Sequence, residues 1–118
     1  MSLRKLQSQF ALQASRLIQH AFDLGYEVTL GHAMRCENCY VGRKNSVHKV
    51  KLAIDLNLFK DGKYLGDTES HRELGEWWEK QHTSARWGGR FGADKGKLGK
   101  DGNHYSFEYQ GRKWFGLF

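Results

Sequence analysis

The stretch Val50-Lys51-Leu52-Ala53-Ile54-Asp55-Leu56-Asn57-Leu58 decides the fold. Apolar residues fill every second position (Val50, Leu52, Ile54, Leu56 and Leu58), leaving Lys51, Ala53, Asp55 and Asn57 on the opposite side. That is the two-residue period of a β-strand. Asp61-Gly62 follows as a turn signal that either opens a hairpin or ends the strand. Upstream, Leu3, Leu6, Phe10, Leu17, Ala21 and Leu24 recur at helical steps with polar residues between them. This predicts an amphipathic helix of about 20 residues with Gly25 placed to end it. Tyr26 to Leu30 alternates again and reads as a short strand. Downstream, a second helix begins near Ser70, with Leu74, Trp77 and Trp78 as its apolar stripe and Glu73, Glu76, Glu79 and Lys80 as its solvated face. From His104 to Tyr109 a polar face (His104, Ser106, Glu108) alternates with an aromatic one (Tyr105, Phe107, Tyr109), which predicts a last strand. Gly31 to Asn45 and Trp87 to Gly102 have no period and read as loops. The expected fold is α+β: a small, mainly antiparallel sheet packed with an N-terminal helix and a second helix.

With 118 residues the chain has the length of one domain, spanning 1–118, and its 39% hydrophobic content supports a packed core. No stretch approaches the roughly 20 consecutive apolar residues of a membrane span, and no secretory signal is expected from the polar residues that interrupt the first 22. Cys36 and Cys39 are too few for a disulfide framework, so cytosolic synthesis is the default expectation. Lys and Arg number 19 against 13 Asp and Glu, a formal charge of +6. Such a balance suits polyanionic partners, whether nucleic acid, membrane or cell wall, and selects none of them.

Two kinds of polar residue sit oddly in this pattern. Asp55 lies in the middle of the most hydrophobic stretch of the chain, where a carboxylate is costly unless paired, hydrogen-bonded or bound to metal. His48 precedes it by seven residues, an odd separation that sends the two side chains to opposite faces of an ideal strand. A shared site therefore needs His48 in the loop just before the strand. His104 lies on the polar face of the last strand, and Asp101 precedes it by three residues in a Lys-Asp-Gly-Asn turn. Two histidines, one aspartate and a further carboxylate are the components of a catalytic zinc site. Taken singly, each histidine is more often a surface or satisfied core residue.

The surrounding sequence adds specificity. Ser46-Val47-His48 followed by Ala53-Ile54-Asp55 resembles the Ser-x-His-x-x-Gly-x-Ala-x-Asp signature of the zinc peptidases that cut peptidoglycan peptides, and Asp101-Gly102-Asn103-His104 resembles their acid-x-x-His motif. That family includes D-alanyl-D-alanine carboxypeptidases and the L-alanyl-D-glutamate endopeptidases of phage lysins. Leu74 to Glu79 and Trp87 to Phe91 also look like the phage members. Lys51 stands where the signature has glycine, and Asp101 where many relatives have glutamate. The resemblance implies an endolysin-type zinc metallopeptidase acting on peptidoglycan stem peptides. His48, Asp55 and His104 would hold Zn2+, and Asp101 would be the general base. Arg35 would bind a substrate carboxylate or the oxyanion, and Ser46 would hydrogen-bond substrate or brace the site. It further implies a monomer with no obligate nucleic-acid partner and no membrane span, made in the host cytoplasm without a signal peptide. Such an enzyme reaches the cell wall in the periplasm once the inner membrane is breached.

A competing reading takes Cys36 and Cys39, with His32 and His48, as a structural zinc site in a basic nucleic-acid-binding module. Arg86 to Phe91 and Arg112 to Phe115 would then interleave aromatic and cationic groups for binding.

Overall fold

The computed structural model describes residues 2–31, 51–91 and 98–109. Helix α1 (Leu3–Asp23) begins where the Ser2 hydroxyl accepts the Lys5 backbone N–H at 3.2 Å, a side-chain N-cap. It ends before Gly25, whose φ of 96° lies in the left-handed region that glycine enters freely. Strands β1 (Glu27–Leu30), β2 (Ala53–Lys60) and β3 (Lys63–Leu65) follow, then helix α2 (Arg72–Glu79) and strands β4 (Ala85–Trp87) and β5 (His104–Phe107). A 3-10 turn, Glu69–His71, leads into α2, and another, Gly88–Arg90, follows β4.

All strand pairings are antiparallel, in the order β1-β2-β5-β4, with β3 paired to β2 beside this path. Strand β2 is the hub. Its Leu56–Phe59 portion pairs with β1, and Ala53–Asp55 pairs with β5. Asp61-Gly62 opens a hairpin: both residues have positive φ, 52° and 78°, as the two-residue turn matching sheet twist requires.

The two helices cover one face of the sheet. Ile54, Tyr105 and Trp87 stand side by side across β2, β5 and β4. Phe10 of α1 meets Trp78 and Phe107 edge-on at 5.8 and 5.2 Å between ring centroids. The Trp78 indole N–H is shared between the carbonyls of Arg86 and Ser106, at 3.0 and 3.2 Å, which fastens α2 to both β4 and β5. Gly75 lets α2 lie directly on Trp87, since a Cβ there would come within 2.2 Å of the indole. Trp78, Trp87, Tyr105 and Phe107 are fully buried, and burial of such a side chain is worth about 2–3 kcal/mol.

The α+β architecture is as expected, and two details differ. Strand β2 begins at Ala53 rather than Val50, because Lys51 turns into the left-handed region at φ 60°; Val50 itself is outside the described residues. Trp87 ends a three-residue strand and residues 88–90 form a 3-10 turn where the Gly-rich stretch from Trp87 suggested only loop, since elements of three residues are too short to display a period. The polar face of β5 is buried as well as the aromatic one: His104 and Ser106 are 1% and 0% exposed. Among the described residues no helix is long and apolar enough to cross a membrane.

His71 is buried behind β5, with its Nδ1 2.7 Å from the Tyr105 hydroxyl. Burial lowers its pKa to about 4, against the opposing pull of the Asp67 charge and a hydrogen bond to the Leu65 carbonyl. The Tyr105 hydroxyl that shares the short contact with Nδ1 has its own pKa pushed well above the usual value by burial. A histidine held neutral binds fewer protons folded than unfolded, so stability is full above pH ~6.5 and declines as pH falls toward 4. The loss from this one group is on the order of 3 kcal/mol. Urea midpoints measured from pH 7.5 to 4.5 should fall for the wild type, and His71→Gln should remove most of that slope. An unchanged slope would assign the acid sensitivity elsewhere.

Candidate functional site

Asp55 and His104 are register partners in the β2–β5 pair, so their side chains project from the same face, the one opposite the helices. His104 Nδ1 stands 3.4 Å from Asp55 Oδ1. Asp101 Oδ2 is 4.0 Å from the same nitrogen. The aspartate and histidine expected to act together are thus adjacent, with the expected general base at their edge. Exposure grades across the three side chains, from 1% at His104 through 10% at Asp55 to 33% at Asp101.

The backbone around each group is tied down. The Asp55 carbonyl accepts from Gly31 N–H at 2.8 Å, and Leu56 N–H donates to the Asn103 carbonyl at 2.9 Å. Asp55 is therefore anchored from the end of β1 on one side and from the turn before β5 on the other. Gly31 passes so close that a Cβ there would lie 3.1 Å from Asp55 Cβ. The turn from Asp101 to His104 is closed by His104 N–H donating to the Asp101 carbonyl at 3.1 Å. Trp87 supports it by donating its indole N–H to the Gly102 carbonyl at 2.7 Å. Gly88 fills the space below, where a Cβ would fall 2.0 Å from the Asp101 carbonyl oxygen and 2.8 Å from His104 Cβ. Phe91 lines the site, its ring centroid 5.3 Å from that of His104.

An aspartate oxygen and an imidazole nitrogen on adjacent strands are donors that zinc takes, and their burial suits a closed metal environment. Asp55 and His104 thus fit as two of the three expected ligands. The third, His48, lies outside the described residues, as do Arg35, Ser46, His32, Cys36 and Cys39. Among the described residues no group of three or more His, Cys, Asp or Glu is arranged to hold a metal ion.

Sequence reasoning missed the supports: Gly31 and Gly88, and the Trp87 indole beneath the turn. Glycines and a tryptophan carry no chemical signature, and only the closeness of the backbones reveals their purpose. Lys51 departs from the signature's glycine, yet its φ of 60° is the conformation that glycine adopts without strain. The local backbone therefore takes the turn for which a glycine is suited, with lysine bearing the strain. Holding a non-glycine residue there costs about 1 kcal/mol or more, partly offset by the greater chain entropy that glycine loses on folding. Lys51→Gly should leave stability equal or raise it by up to about 1 kcal/mol in urea titrations, whereas Lys51→Val should lower it. A clear loss with glycine would show that the lysine side chain contributes more than its backbone costs.

No protein-family model matches the chain, and neither a curated protein nor a solved structure matches it.

Proposed function

We propose that this chain is a zinc peptidase of the phage endolysin type, hydrolysing peptide bonds in peptidoglycan stem peptides. The observation that carries the reading is the cross-strand pairing of Asp55 with His104, with Asp101 beside it on the preceding turn. These residues belong to two separated sequence motifs, and the fold brings Asp55 and His104 together in the interior with Asp101 at their edge. Asp55, His104 and His48 would hold a zinc ion there, and the metal would supply Lewis acidity toward the scissile carbonyl. Asp101, the most exposed of the three described groups, accepts the proton of the attacking water and returns it to the leaving amine. The neighbouring Phe91 ring restricts solvent around His104. Arg35, with its fixed guanidinium fork, binds a substrate carboxylate or the developing oxyanion. Ser46 hydrogen-bonds the substrate.

The nucleic-acid reading draws less support. Trp87 is buried under the Asp101 turn rather than offered for base stacking, and Arg86 and Arg90 are engaged with Glu108 and with Glu76 and Glu79.

Purified protein should contain one zinc per chain by elemental analysis, lost in His104→Ala and retained when both cysteines are replaced. Asp101→Asn should keep the zinc and the fold. Its release of stem peptides from purified cell walls, followed by mass spectrometry, should drop by roughly 10²-fold or more, the scale of general-base catalysis. Near-normal turnover would remove Asp101 from the chemistry. Zinc that follows the cysteines, with salt-dependent binding of single-stranded DNA, would favour the alternative.

A further inference from the structure

A groove of about 570 Å³ adjoins the Asp101 turn, lined by Asp67, Thr68, Glu69, Arg72, Leu98 and Lys100 among others. It is built against the site rather than merely near it. Thr68 in its wall packs on Gly102, where a Cβ would meet Thr68 Cα at 2.6 Å. Gly99 N–H donates to the Gly89 carbonyl at 2.8 Å, holding the groove's other wall to the turn that follows β4. Lys100 precedes Asp101, so the two Cα atoms are about 3.8 Å apart.

The charges lining this groove are unequally committed. Asp67 Oδ1 accepts the Ser70 hydroxyl at 2.6 Å, and its Oδ2 accepts the Ser70 N–H at 3.2 Å. Arg72 binds Glu69 and reaches Glu76. Three of the four charged side chains are thus satisfied within the fold. Lys100 is exposed and has no ion-pair partner among the described residues. With Arg72 held by Glu69 and Glu76 and the Asp67 oxygens occupied by Ser70, Lys100 is the uncommitted cation of the groove, and the complement of an ammonium is a carboxylate.

We propose that this groove is a substrate subsite in which Lys100 binds a free carboxylate of the stem peptide, of the kind a γ-linked D-glutamyl residue carries on its α-carbon. This rests on the peptidase reading above and adds to it a place for the substrate beside Asp101. Leu98 and the Thr68 methyl offer apolar contact to the peptide's aliphatic parts, while the ammonium sets its register. Lys100 is a specificity-determining residue in this scheme and takes no part in proton transfer.

The test uses the full chain and two tripeptides, L-alanyl-γ-D-glutamyl-L-lysine and the same peptide with the α-carboxylate converted to carboxamide. Calorimetric titration should give about tenfold tighter binding of the carboxylate form to the wild type, the scale of one charge-assisted hydrogen bond. Lys100→Ala should bind both peptides alike, and Lys100→Arg should restore much of the preference. Both substitutions are at an exposed position, and circular dichroism should show an unchanged fold. Equal affinities in the wild type, a preference that survives in Lys100→Ala, or binding of neither peptide would overturn the subsite. Hydrolysis of the same peptides separates the two ideas. Cleavage of both with equal efficiency leaves the peptidase and removes the subsite. A Lys100-dependent preference without cleavage leaves a carboxylate site and removes the peptidase.

Discussion

The antiparallel pairing of β2 with β5 is the constraint on which the rest of the molecule depends. It sets Asp55 opposite His104 and, one residue along, Ile54 opposite Tyr105. Because side chains alternate across a strand, the same register delivers a polar pair to one face and the aromatic core to the other. A slip of one residue would send Asp55 toward Trp78 and Phe107, where a carboxylate would lose several kcal/mol of solvation without a partner. Core packing and site assembly are therefore one requirement, enforced by the same hydrogen bonds. The aromatic layer from Phe10 through Trp78 to Phe107 makes the register hard to shift.

Around that pairing, the chain achieves precision through close backbone approach. Gly31 against Asp55, Gly88 against the Asp101 carbonyl, and Gly102 against Thr68 each bring two segments nearer than a larger residue would readily permit. The result is a turn from Asp101 to His104 pinned from β4, from β2 and from the segment before α2. Short range and many anchors leave little freedom for the imidazole, which suits a ligand whose orientation has to be fixed before anything binds.

Much of this was legible in the sequence, and the limits have physical causes. The period-two run ending at Leu58 identified β2, and the helical spacing from Leu3 to Leu24 identified α1, because each element buries one continuous stripe. Asp55 announced itself by its cost: a carboxylate in an apolar strand asks for a partner. The identity of that partner followed from motif resemblance, and the register supplied the distance. What could not be read was anything depending on contacts distant in sequence. Trp87 looked like part of a glycine-rich loop, although it forms the centre of the core beside Tyr105. His71 looked like one of six unremarkable histidines and is buried against Tyr105. The alternation of β5 gave its two faces but not their burial, and both faces of that strand are covered. Arg35, Ser46 and His48 lie outside the described residues, and their roles rest on the motif resemblance alone.

On the peptidase reading proposed above, the gradient of exposure across the three groups bears on how the site would divide its labour. A metal ligand benefits from burial, since exclusion of water strengthens its electrostatic hold and fixes its rotamer. A general base has the opposite need, because it must meet the water it deprotonates and pass that proton to a departing amine. His104 and Asp55 stand on neighbouring strands in the interior, while Asp101 stands on a turn at the rim with 33% of its side chain exposed. Strand residues cannot readily change places with water, and turn residues can. The two motifs thus differ in kind as well as in position: the strand-borne pair is suited to holding, and the turn-borne carboxylate to exchanging protons with solvent. Placing Lys100 on the same turn extends that logic from the proton to the substrate, since one short segment would then present both the base and the charge that aligns the peptide beside it.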